Sequence, residues 1–201
     1  MLLLTHQEVL ANAEDVAGWT PLVYAISEGD EALVEHLLSI HSVNPDHRTH
    51  EGKSTLWLAA DWSRTTKIVK LLLNTGRVDV NLVLPITPAT PLIAAIMDAR
   101  ADIVELFVEH PDIDVNLTPD GSPAPIGLAA EGGNLEIVEI LLKHPDIDPD
   151  KTKDPTKAPI LLAAAGGYEK VVSVLLADGR VGEGSRGLLA EKHPRYFKRD
   201  S

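Results

Sequence analysis

Three kinds of residue in this chain could do chemistry: eight histidines, a surplus of carboxylates and three tryptophans. No catalytic frame organises them. There is no Gly-rich phosphate loop, no Gly-x-Ser-x-Gly elbow and no His-Glu-x-x-His pair. Cysteine is absent, which excludes a thiol nucleophile, a disulfide frame and a Cys-based zinc site. His110 and His144 each open a His-Pro-Asp-Ile-Asp run, with Asp112 and Asp146 close by, which invites metal ligation. A repeated chain places equivalent residues alike without any metal, and a cation near a helix C-terminus is favourable on its own. The expectation is therefore no catalytic residue, no metal and no cofactor. The formal net charge of −12 argues against nucleic acid or an anionic membrane as the main partner. No apolar run approaches a bilayer's thickness, and Met1–Glu8 has no basic region of the kind that opens a signal peptide. With no Cys, this fits a reducing compartment, and an intracellular location, cytoplasmic or nuclear, is expected.

The elements that must position these residues are set by repetition. Residues 18–38 read as a turn, a short helix opened by Thr20-Pro21, a break at Gly29 and a second apolar helix ending in Leu37-Leu38. The pattern returns at Ser54-Thr55-Leu56, Thr90-Pro91-Leu92, Ala124-Pro125-Ile126 and Ala158-Pro159-Ile160. Leu22, Leu56, Leu92, Ile126 and Ile160 are spaced by 34, 36, 34 and 34 residues, the period of a stacked repeat. Thr20 is suited to N-cap and Pro21 to the first helical position. Leu33, Val34, Leu37 and Leu38 form an apolar stripe on the second helix. So do Leu135, Ile137, Val138, Leu141 and Leu142, and Val171, Val172, Val174, Leu175 and Leu176.

These signals divide the chain into a partial repeat at 1–12, five repeats at about 13–46, 47–81, 82–116, 117–150 and 151–184, and a cap with a basic tail at 185–201. Leu4 stands eight residues before Asn12, the offset that links Leu38 to Asp46 and Leu142 to Asp150. The chain thus opens inside a second helix. Leu2, Leu3 and Leu4 are then a route to self-association, and a segment of a larger array is one reading. Ser185 is expected to cap a short last helix through Glu191, with Leu188 and Leu189 covering the final repeat.

With Gly18-Trp19-Thr20-Pro21-Leu22, Ala25, Gly29, Leu37-Leu38 and Asn44 recurring in register over about residues 1–184, the chain resembles an ankyrin-repeat protein. The repeat ends Gly76–Asn81 and His110–Asn116 resemble those of large fungal ankyrin arrays. The resemblance implies an all-α solenoid of stacked helix-turn-helix units with β-turn fingers. Two departures stand out. The family's usual His after Thr-Pro-Leu is replaced by Val23, Trp57, Ile93, Gly127 and Leu161, so its polar bracing is missing. The finger Gly kept at Gly18 and Gly52 gives way to Pro in the later repeats, which implies less regular fingers there.

In such proteins partners lie against finger tips and first helices. Mapped onto this sequence, the tips are Val16, Ala17, Trp19, His50, Glu51, Lys53, Ile86, Thr87, Ala89, Asp120, Gly121 and Pro123. The first helices contribute Ser27, Glu28, Asp61, Trp62, Met97, Asp98, Arg100, Glu131 and Tyr168. Trp19 and Trp62 are expected at exposed positions, the composition of an interface hot spot, while Trp57 reads as core. Glu28, Glu51, Asp61, Asp98, Asp120 and Glu131 would make the groove acidic and favour a partner protein with a basic or mixed-charge segment. The leading expectation is a non-catalytic interaction scaffold. The alternative is an enzyme or small-molecule binder using the same groove, with Trp19, His50, Asp61 and Trp62 as its pocket.

Overall fold

The computed structural model describes residues 11–62, 65–86, 88–119 and 122–197. The expected leucine contact at Leu2–Leu4 and the finger residues Thr87, Asp120 and Gly121 lie outside them. Eleven α-helices are present among the described residues, and they divide between two compact units, 1–95 and 96–201. No described helix is long and apolar enough to cross a membrane.

The first unit holds α1 (Pro21–Glu28), α2 (Glu31–Ser39), α3 (Thr55–Trp62) and α4 (Thr66–Asn74), and most of α5 (Pro91–Met97). Helix starts follow local chemistry. Hydroxyls of Thr20, Ser54 and Thr90 accept hydrogen bonds from the backbone N–H of Val23 (3.4 Å), Trp57 (3.2 Å) and Ile93 (3.2 Å), satisfying donors that a helix start leaves orphaned. Gly29 ends α1 in the left-handed conformation, φ +71°. Helix α1 packs on α2 and α3, α2 on α4, and α3 on α4. Leu22, Ile26, Val34, Leu56, Leu58, Ile68 and Leu72 are fully buried between them. Each stabilises by at most about 1.5–3 kcal/mol. Leu33 departs from its expected stripe and is 42% exposed. The apolar arc of α2 is wider than the face its neighbours cover, so Val34 and Leu37 are buried and Leu33 is left on the flank.

The second unit holds α6 (Ala101–Val108), α7 (Pro125–Glu131), α8 (Leu135–Lys143), α9 (Pro159–Gly166), α10 (Glu169–Ala177) and α11 (Glu183–Lys192). Helices α7 and α9 start at Ala124 and Ala158 without a side-chain cap, and Pro supplies the pre-set first turn instead. Phe107 is the largest fully buried side chain. The last helix starts two residues before Ser185, against expectation. Asp150 holds the Gly182 N–H at 2.5 Å and so fixes the chain's entry there, with Glu183 at the first helical position. Leu189 does cover the final pair, fully buried.

The missing His bracing is replaced by loop side chains that reach one repeat length along the chain. In the first unit Asn12 donates to the Ser42 carbonyl (2.6 Å) and accepts from the Asn44 N–H (2.9 Å), and Asp46 accepts from the Asp79 N–H at 3.3 Å. In the second, Asn116 donates to the Asp146 carbonyl (2.6 Å) and accepts from the Asp148 N–H (2.9 Å). Arg77 donates to the carbonyls of His41 and Val43, and Arg180 to those of Leu142 and His144, satisfying acceptors left after the end of the preceding second helix. His110 and His144 close their own turns: each ring Nδ1 accepts from the backbone N–H of Asp112 (3.2 Å) or Asp146 (3.1 Å). Among the described residues no group of three or more His, Asp or Glu is arranged to hold a metal ion.

Candidate partner-binding site

One carboxylate organises the first finger. Asp15 Oδ1 accepts the backbone N–H of both Ala17 and Trp19 at 2.8 Å, and its Oδ2 accepts the Tyr24 hydroxyl at 2.7 Å. The Tyr24 hydrogen bond is the main reason the Asp15 carboxyl lies below its usual range, and the same bond pushes the Tyr24 phenol up. At neutral pH Asp15 is therefore an anion and Tyr24 a neutral donor.

Held this way, the Trp19 ring meets Tyr24 edge-on, centroids 5.0 Å apart, and meets Trp62, the last residue of α3, at 5.5 Å. These are favourable aromatic separations, worth roughly 0.5–1.5 kcal/mol per pair beyond area burial. Both tryptophans are half-buried, and Tyr24 is 47% exposed. The expected pair of separate exposed anchors is thus one cluster of three rings with an open outer face.

The cluster stands on two zipped fingers. His47 Nε2 donates to the Gly18 carbonyl at 2.6 Å, and the His50 N–H donates to the Ala17 carbonyl at 3.2 Å. Glu14 lies 3.8 Å from His47 Nδ1 and 3.5 Å from His50 Nε2. Gly18 has φ +76°, and a Cβ there would fall 2.6 Å from His50 Cδ2 and 2.8 Å from the His50 backbone N, so this glycine is required twice over.

The remaining expected site residues are scattered. Ser27 spends its hydroxyl on the Tyr24 carbonyl (2.8 Å), and Glu28 is exposed beside it. Asp61 is half-buried next to Trp62. Glu51 pairs with Lys53 at 2.9 Å, and the same ammonium stands 5.3 Å from the Trp57 ring centre. Trp57 is half-buried, with a buried indole N–H that has no partner. Val16 and Ile86, at 99% and 74% exposure, are bare apolar tips in this unit. Met97, Asp98, Arg100 and Glu131 belong to the second unit, where Arg100 forks onto Asp102 at 2.9 and 2.8 Å.

The acidic groove is not supported. Glu51 is neutralised by Lys53, the other carboxylates divide between the units, and Asp120 lies outside the described residues. The dense acid of the second unit stands on α6 and α8, where Asp102, Glu105, Glu136 and Glu139 line one depression. Net charge counts carboxylates without assigning them to a face, and in this chain more of them stand on second helices than on first helices.

Sequence reasoning did not single out Asp15 or Tyr24. Asp three residues before a Gly is a turn signal that could have marked Asp15; nothing local marks Tyr24.

A family model described as "Ankyrin repeats (3 copies)" matches the chain in four overlapping stretches, residues 1–83, 28–119, 56–153 and 92–183. The chain belongs to the ankyrin-repeat family, and its fold is all-α. Such repeats are generally protein–protein interaction modules. No curated protein sequence matches the chain.

Proposed function

We propose that this protein is a non-catalytic scaffold that anchors a partner protein on the Trp19–Tyr24–Trp62 cluster. The observation that carries the reading is the three-ring surface itself: large, rigid side chains, packed and hydrogen-bonded in place, with an open outer face. Pre-set aromatic groups lose little conformational freedom on binding, which is why such residues dominate interface energetics. Val16 extends the apolar surface from the finger tip, and Glu14 and Glu28 supply nearby negative charge. The fitting partner segment is apolar at its centre with mixed charge at its edges. The five-repeat division at 13–46, 47–81, 82–116, 117–150 and 151–184 is part of this reading.

The test is capture of partners from a lysate of the source organism by wild type and by the Trp19→Ala/Trp62→Ala variant, with circular dichroism to verify that the variant is folded. A partner held by wild type and lost by the folded variant supports the site. Equal capture by both removes it.

A further inference from the structure

The finger at residues 151–158 differs from the others in charge and in shape. Lys151, Lys153 and Lys157 border a cavity of about 170 Å³ whose far side is formed by Ser122, Pro123 and Gly127. We propose that this cavity binds a phosphate monoester dianion, with the ammonium groups of Lys151 and Lys157 as its counter-charge and Gly127 leaving room for it.

Four observations support this. The volume is below that of pockets for drug-sized ligands, which begin at about 300 Å³, and suits one small anion with its organic arm leaving through the open mouth. The one carboxylate that lines the cavity among the described residues, Asp154, is already engaged: its Oδ1 accepts from the Thr156 N–H (2.9 Å) and hydroxyl (2.7 Å). Lys151 and Lys157 make no ion pair within 4 Å among the described residues, and Lys157 acts on Asp154 only at longer range. Thr152 ties the loop to itself through the Asp154 carbonyl (2.9 Å) and N–H (3.1 Å), which holds the lysine-bearing turn in one shape.

The hollow exists because Gly127 stands where the equivalent positions carry Val23, Trp57, Ile93 and Leu161. Neither backbone nor packing demands a glycine there. Its φ is ordinary, and a Cβ would meet Pro123 Cβ at 3.4 Å and Leu162 Cδ1 at 3.8 Å, contacts the site can accept. A net charge of −12 repels a polyanion at long range, so a small cationic cluster on one finger suits a single phosphate better than a nucleic-acid backbone. The phosphate could be that of a free monoester or of a phosphorylated side chain, and the probes below separate the two. This inference is independent of the aromatic cluster, which belongs to the other unit.

The test is calorimetric titration at low ionic strength with O-phosphoserine, inorganic phosphate, and a short capped peptide bearing either phosphoserine or serine. Saturable one-to-one binding of the phosphate-bearing probes, and none of the serine peptide, is expected. Lys151→Gln/Lys157→Gln should weaken it about fivefold, the size expected of two exposed charge contacts. Gly127→Val should abolish it with no fall in melting temperature. Binding should tighten as pH rises through about 6, where the monoester becomes a dianion. A phosphopeptide bound more tightly than inorganic phosphate identifies a phosphorylated chain as the source; equal affinities identify a free phosphate compound. No saturable binding to wild type, or affinities unchanged in both variants, overturns the proposal.

Discussion

The aromatic cluster of the first unit and the lysine-lined cavity of the second use one repeated frame in opposite ways. At the first, Trp19 and Trp62 fill the space between neighbouring helix pairs and leave a solid, partly open surface. At the second, Gly127 empties a position that carries a large side chain elsewhere, and a charged hollow results. The frame itself is the same in both: turn, short helix, break and second helix. What differs is written at positions the frame does not need for folding. Chemistry in a repeat protein should therefore be sought where a repeat departs from its siblings while the core residues agree.

The largest expected effect concerns binding. The Trp19→Ala/Trp62→Ala variant should lose the captured partner by a factor of about 100 or more, since central aromatic anchors cost about 2 kcal/mol or more each when truncated. Lys151→Gln/Lys157→Gln should leave that affinity unchanged. An equal loss from both variants would erase the distinction between the two regions.

The same substitution at two glycines sharpens it further. Gly18→Ala forces a side chain into the left-handed region and onto the His50 backbone, and should destabilise by roughly 1–3 kcal/mol in urea unfolding. Gly127→Ala should be neutral or stabilise by up to about 1 kcal/mol, because alanine is the better helix former and its Cβ would make ordinary van der Waals contacts.

The braces differ as well. Asn116→Ala removes two bonds and should cost about 2 kcal/mol, whereas Asp46→Ala removes one longer bond and should cost about 1 kcal/mol or less. Hydrogen exchange of the flanking helices would check both.

The smallest effect is the response to acid. Asp102, Asp154 and Asp178 of the second unit have carboxyl groups lowered chiefly by side-chain hydrogen bonds from Arg100, Thr156 and Arg180. A carboxylate lowered in the folded state stabilises above its unfolded value of 3.8, and that contribution is lost as pH falls below it. The first unit has Asp15 in this class, whereas burial raises Asp46, which gains nothing from ionisation. Lowering the pH below 3.8 should therefore reduce exchange protection more in α6–α11 than in α1–α4. A larger loss in the first unit would contradict this assignment.

Much of the fold was legible because its signals are local. Thr20 caps and Gly29 terminates whatever the rest of the chain does, and the spacing from Leu22 to Ile160 forces the stacked helix pairs. Trp19 and Trp62 stood out by type, and the repeat placed them beside neighbouring helix pairs. The cluster's third ring was not legible, because Tyr24 is recruited by a finger carboxylate, Asp15, through a bond that only the folded turn creates. The acidic groove failed for a related reason: a count of Glu and Asp carries no information on which helix face they occupy. Ser185 looked like a cap, but Asp150, a whole repeat earlier, set the start of α11 at Gly182.

The most direct measurement is hydrogen–deuterium exchange of the complex with the captured partner, compared with the free protein. The account predicts new protection centred on residues 15–28 and on the end of α3 at Trp62, with α6 and α8 unchanged. Protection confined to the acidic faces of α6 and α8, or absent from the Trp19 finger, would contradict it.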